Sequence, residues 1–115
     1  MHKGSCHCGQ VRYTVDAGEI PAMMECNCSH CQRKGYLLWF VPRAQFTLTA
    51  GEGQTGEYLF NKHKIRHQFC TTCGCQGFAY GTGPDGTEMA AVNVRCCPDI
   101  NIETIKRVPV DGKSL

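Results

Sequence analysis

Residues 10–16 alternate polar and apolar side chains, with Val11, Tyr13 and Val15 on one face. A period of two is the signature of a half-buried strand. A short apolar run at 37–41 contains Trp39 and Phe40 and stops at Pro42. Both aromatics read as core. Adjacent strand residues face opposite sides, which leaves one of the two free to line a pocket. Residues 46–49, 57–60, 65–69, 76–80 and 89–94 are further strand candidates. Gly51, Gly53 and Gly56 break the chain between the first two of these. The segment 81–86 ends in Asp-Gly and reads as a turn. Helical signal is weak. Residues 29–34 suffice for one turn, and 102–107 offer only Ile102 and Ile105 at helical spacing. No linker, low-complexity tract or fixed-period repeat interrupts the pattern. Many short strands at close spacing predict a mainly β fold, a single small domain over residues 1–115.

Length and composition sharpen this. At 115 residues the chain has a limited core, so a metal staple would help it fold. Ten residues are cysteine, a density that signals either disulfides or metal sites. The N-terminal stretch has no apolar segment of the secretory type, and nothing approaches the roughly 20 apolar residues of a membrane span. The expectation is a cytoplasmic protein with reduced thiols, not associated with membranes. The formal charge of +2 assumes neutral thiols. Seven thiolates and two divalent ions would together remove about three charges, so the basic balance is no evidence for nucleic-acid binding. No run of like charge reads as a nucleic-acid arm.

The cysteines fall into three clusters: Cys6/Cys8, Cys26/Cys28/Cys31 and Cys70/Cys73. Zinc favours four thiolate or imidazole ligands in tetrahedral structural sites. Cys70-Thr-Thr-Cys73 is a metal-binding turn that Gly74 lets close. It supplies two ligands, and Cys6-His-Cys8-Gly9 is the natural second pair. Together they predict a closed four-thiolate site carrying much of the folding free energy. Cys26, Cys28 and Cys31 then form a three-ligand set with one free position, the arrangement of a catalytic zinc. A competing reading keeps one metal site and makes Cys26, Cys28 and Cys31 redox thiols. Cys75, Cys96 and Cys97 lack partner spacing and read as packing thiols, although Cys75 could compete as a ligand.

Among the neighbours, His30 could serve as a ligand, as a donor behind the ligands or as a proton carrier. Ligation is disfavoured because it sits beside Cys31 in the chain. His7 is expected to point away from the metal. Residues 62–67 read as a solvated strand face, with Lys62, Lys64 and Arg66 on one side. That row could instead attract an acidic substrate. Arg33 and Lys34, just after Cys31, are better placed to meet an anion near the open metal. No residue stands out as a general base.

The set Gly4-Ser-Cys-His-Cys-Gly9, Cys26-Asn-Cys-Ser-His-Cys31, Phe69-Cys-Thr-Thr-Cys-Gly74 and Val92-Asn-Val-Arg95 resembles the glutathione-dependent formaldehyde-activating enzyme family, also called centromere protein V-like. The motifs occur in the family's order and span nearly the whole chain. The resemblance implies a β-tent of short antiparallel strands stapled by zinc, a fold shared with a guanine-nucleotide-exchange chaperone. It implies two zinc ions per chain, a structural one on Cys6, Cys8, Cys70 and Cys73 and one at the active site on Cys26, Cys28 and Cys31. It further implies a carbon–sulfur lyase that condenses formaldehyde with glutathione to S-hydroxymethylglutathione, with another small thiol or aldehyde as an alternative substrate. A non-catalytic zinc-stabilised binding module or chaperone is the reading from a different class.

Overall fold

The alternation of Tyr13 and Val15 becomes the central strand of a small sheet in the computed structural model, which describes residues 1–59, 65–83 and 85–112. Strands β1 (His2–Ser5), β2 (Arg12–Val15) and β5 (Phe46–Ala50) form this three-stranded sheet in the order β1-β2-β5. The remaining strands are β3 (Met23–Cys26), β4 (Leu38–Pro42), β6 (Thr55–Tyr58), β7 (Arg66–Cys70), β8 (Phe78–Thr82), β9 (Glu88–Asn93) and β10 (Arg107–Val110). They form a seven-stranded sheet in the order β10-β3-β4-β9-β8-β7-β6. All described pairings are antiparallel except that of β10 with β3. The fold is mainly β, and α1 (Ser29–Lys34) is its one α-helix among the described residues. No helix among them is long and apolar enough to cross a membrane.

The period of two sorts the large sheet into two faces. Trp39 and Val41 of β4, Ala90 and Val92 of β9 and Phe78 of β8 join Tyr13, Val15 and Phe46 of the small sheet in the main core. Leu38, Ala91 and Ala79, one residue out of step, pack on the other face with Cys31 and Tyr36. Trp39 is buried, whereas Phe40 is 38 % exposed on the second face, as opposite-facing neighbours require.

Tyr13 is the centre of the main core. Its ring stacks on Phe46 at 5.1 Å and meets Phe78 edge-on at 5.6 Å. Its hydroxyl donates to the Gly77 carbonyl at 3.0 Å. Gly4, its cross-strand partner, leaves room for the ring, because a Cβ there would overlap it.

Three strands have no clear alternation to announce them. His2–Ser5 is almost wholly polar and is strand through its pairing with β2. Met23–Cys26 buries Met23 and pairs with β4 and β10. Arg107–Val110 contains Pro109, which is tolerated because β10 is the sheet's edge. The helical expectation for 102–107 is corrected. A single 3-10 turn at Ile102–Thr104, capped by the Asn101 side chain, gives way to β10. One apolar pair cannot hold a longer helix, and parallel pairing with β3 satisfies the backbone instead. The expected strand at 57–60 starts earlier, at Thr55, and its last residue, Phe60, lies outside the described residues, as do Pro84 of the 81–86 turn and residues 61–64.

Tyr13→Phe removes one hydrogen bond, but the Gly77 carbonyl keeps the Asn93 amide as a donor at 2.9 Å. The expected loss of stability in urea denaturation is therefore modest, about 0.5–1.5 kcal/mol. Tyr13→Ala should cost about 3–5 kcal/mol, as for other large-to-small changes in a core.

Candidate metal centres

Cys6 follows β1 and Cys70 ends β7, so the two sheets each deliver one half of the first cluster. Each half is a tight turn closed by a glycine after the second cysteine, Gly9 at φ 81° and Gly74 at φ 77°. The Gly74 amide donates to the Cys70 carbonyl at 2.9 Å, and the Gly9 amide to that of Cys6 at 3.3 Å. Thr72 Oγ1 donates to Gln10 Oε1 at 2.8 Å and ties one turn to the other. The four sulfurs of Cys6, Cys8, Cys70 and Cys73 lie within 4.8 Å of one another. Cys6 to Cys8 is 3.6 Å and Cys8 to Cys70 is 3.7 Å. A tetrahedral zinc with bonds near 2.3 Å would set its sulfurs about 3.8 Å apart, so the set fits such an ion.

Backbone amides aim at these sulfurs. Val11 donates to Cys6 Sγ at 3.3 Å, and Thr72 donates to Cys70 Sγ at 3.4 Å. Amides of Cys8 and Cys75 hold the Cys73 thiol down at about 6. Cys70 is lowered as well, chiefly by the Cys73 amide. Cys8 is drawn down by the Gln10 amide but pushed up to about 11 by burial and the thiols around it.

Cys26 ends β3, Cys28 caps α1 and Cys31 lies in its first turn. The Cys28 amide donates to Cys26 Sγ at 3.4 Å and the Cys31 amide to Cys28 Sγ at 3.3 Å. The helix ends at Gly35 in the left-handed region, φ 68°, so it is just long enough to present Cys31. These three sulfurs also lie within 4.8 Å of one another, and among the described residues no fourth Cys, His, Asp or Glu joins them. Burial works against ionisation of Cys28, but the Cys31 and His30 amides and the neighbouring thiols outweigh it and lower its pKa. Burial raises that of Cys31. Both clusters could hold a metal ion, with donors compatible with zinc.

His30 is not in the ligand set. Its ring lies 4.2 Å from that of His67 and 5.4 Å from Tyr58, with Tyr36 at 5.5 Å. Burial, then the charge of Lys34, lowers its pKa. Burial, then His30, takes His67 down to about 4, so His67 is neutral at pH 7. His67 and Gly112 are the neighbours that motif spacing missed. His67 had only its strand alternation to mark it. The chain at Gly112 passes so close that a Cβ would overlap Cys26 Sγ. Asn27 holds it there, its amide on the Val110 carbonyl and its side chain on Asp111, both at 3.0 Å. The only sequence sign was a glycine closing the Val-Asp-Gly stretch.

Two cavities meet at Cys26 and Cys31. One, of about 450 Å³, is of mixed character, with Glu25, Asn27, Gln32, Arg95 and Asp111 on its walls beside Tyr36, Pro109 and Val110. The other, of about 290 Å³, is lined by Met24, Leu38, Phe40, Ile65, Ala91 and Val110, with His67 and Cys28 also on its wall. Arg33 and Lys34 face neither. They line a separate cleft of about 640 Å³ with His30 and Tyr58. At about 100° per residue, Arg33 stands about 200° round the helix from Cys31. Arg95, which donates to the Gly35 carbonyl at 2.7 Å, lines the first cavity together with Cys26 and Cys31. Lys62 and Lys64 lie outside the described residues, and Arg66 sits over the Tyr80 ring at 5.5 Å.

Cys75 and Cys96 do find partners, in each other, with sulfurs 3.5 Å apart. Cys97 packs in the main core, in keeping with a packing thiol.

The family model described as glutathione-dependent formaldehyde-activating enzyme matches residues 1–105. Among solved structures, a crystal structure of a Rhodobacter sphaeroides protein is similar over 93 % of this chain and 97 % of its own. Its TM-score is 0.79 and its sequence identity 28 %. With nearly the whole chain matched, including all seven clustered cysteines, the protein belongs to the glutathione-dependent formaldehyde-activating enzyme family.

Proposed function

We propose that the protein is a zinc-dependent carbon–sulfur lyase that joins a small thiol, glutathione first among candidates, to an aldehyde. The observation that carries this is the three-cysteine cluster opening onto two cavities of different chemistry. In this reading Cys6, Cys8, Cys70 and Cys73 hold a structural zinc, and Cys26, Cys28 and Cys31 hold a second at the active site. A zinc bound there would supply Lewis acidity and favour the thiolate form of a thiol substrate.

The reaction is an addition. The thiol sulfur bonds to the carbonyl carbon, the π pair moves to oxygen and a proton replaces the one lost from sulfur. The reverse step breaks the same carbon–sulfur bond. The chain's contribution is positioning and electrostatics. The Cys31 amide favours an ionised sulfur at Cys28, and the Cys28 amide donates to Cys26 Sγ. Arg95 in the first cavity suits a substrate carboxylate, and Glu25 and Asp111 suit an ammonium group, so the two ends of a zwitterionic thiol find opposite charges there. Neutral His30 and His67 put no positive charge beside the cluster near pH 7.

Metal analysis of protein purified without chelator should give two zinc ions per chain, and a value of one would remove the open site from this account. Cys28→Ser should keep the fold, retain one zinc and lose S-hydroxymethylglutathione formation by more than about 100-fold, since even changes behind a ligand cost 10–100-fold. Cys73→Ser should unfold the domain, and equal unfolding of both variants would abolish the division of roles. Acid should strip both sites, because protons compete for thiolates and affinity falls as pH falls. The three-cysteine site should empty first when zinc release is followed with a chromogenic chelator, having fewer ligands to hold the ion. Gly112→Val should cost the second zinc while leaving the first, because its side chain would occupy the space of Cys26 Sγ.

A further inference from the structure

We propose that the apolar cavity beside Cys26, Cys28 and Cys31 seats the carbon substituent of an aldehyde larger than formaldehyde, an unbranched chain of about five to eight carbons or an aromatic ring. The inference rests on the carbon–sulfur reading above and names the substrate class of that same site.

Three observations converge. First, formaldehyde has no substituent, so it could make no use of a cavity of about 290 Å³. Benzene fills an apolar cavity of about 150 Å³, so this space takes a ring or a six- to eight-carbon chain with room for the carbonyl. Second, Met24, Phe40 and Ile65 stand on this cavity although they are 40 %, 38 % and 44 % exposed. Large apolar side chains gathered around one opening mark a binding site. Third, the thiol has its own place. Cys26 and Cys31 also border the more polar of the two cavities, where Arg95, Glu25 and Asp111 match a charged thiol. The two cavities thus deliver sulfur and carbonyl to one set of cysteines from different sides, and the aldehyde takes the apolar one.

The test uses the zinc-loaded full chain with glutathione and the series formaldehyde, propanal, hexanal and benzaldehyde. Thiohemiacetal formation is read by exchange NMR, with the uncatalysed rate subtracted. The expected kcat/KM rises by about fourfold for each methylene buried, up to hexanal. Phe40→Ala, at a partly exposed position, should lower the ratio of hexanal to formaldehyde turnover about tenfold. Ala91→Leu, at the buried end, should cut hexanal selectively, and circular dichroism and zinc content check that it folds. Equal rates across the series, with formaldehyde active, would overturn this inference and leave the carbon–sulfur reading standing. Faster reaction of hexanethiol with formaldehyde than of glutathione with hexanal would overturn the assignment of the cavity to the aldehyde. Loss of turnover for every aldehyde would defeat the carbon–sulfur reading. Calorimetric titration with hexan-1-ol, an unreactive stand-in, then decides the cavity: binding weakened by Phe40→Ala supports its ligand class, and no binding ends it.

Discussion

Four sulfurs within 4.8 Å of one another cannot all carry charge unless a cation sits among them. This constraint reaches the whole fold, because the four come from different sheets. Cys6 and Cys8 follow the first strand of the small sheet, and Cys70 and Cys73 end a strand of the large one. A cation at their centre would be a crosslink between residues more than 60 positions apart, closing a long loop of chain entropy. Around it the apolar core is modest, built on Tyr13, Phe46 and Phe78 where the sheets meet. A domain of this size buries a limited share of its surface, so the crosslink and the core have to act together.

The large sheet then separates stability from chemistry. Along β4 and β9, alternate side chains enter the main core or the opposite face. Trp39, Val41, Ala90 and Val92 hold the sheets together. Leu38, Phe40 and Ala91 border the three cysteines instead. The same backbone therefore anchors the site rigidly while the side chains that shape it are absent from the core. On that second face Phe40 is partly exposed, whereas Leu38 and Ala91 are buried in a smaller cluster with Cys31 and Tyr36.

The cysteine grouping was legible in the sequence because Cys-x-Cys and Cys-x-x-Cys spacings are local geometry. At 29–34 the sequence offered only one weak helical turn, β2 was legible because alternation reports a buried face, and β4 showed as a short apolar run. What was not legible is what depends on distant pairing. The strands His2–Ser5 and Arg107–Val110 take their structure from partners rather than from their own pattern. Cys75 and Cys96, 21 positions apart, meet only after β8 and β9 form a hairpin. Arg33 and Lys34 are near Cys31 in sequence but line another cleft, and Arg95 reaches the site from 64 positions away. Gly112 is invisible without knowing that the chain returns over Cys26.

The two clusters differ in charge as well as in number, and this argues where chemistry belongs. Four thiolates around a divalent ion would sum to about −2, and three to about −1. A fourth sulfur anion would therefore complete the smaller set, whereas a fifth on the larger one would meet greater repulsion and no free position. Burial reinforces the difference. Cys31 is buried, and that burial raises its thiol. With a cation bound, the remaining imbalance would be small, and in the proposed reading a thiol would enter from the side that Arg95 lines. An aldehyde, being neutral, incurs no such charge penalty and can approach across the apolar wall. The unequal surroundings of one set of sulfurs thus suit two reactants of unlike polarity, an anion and a neutral molecule, at a single point.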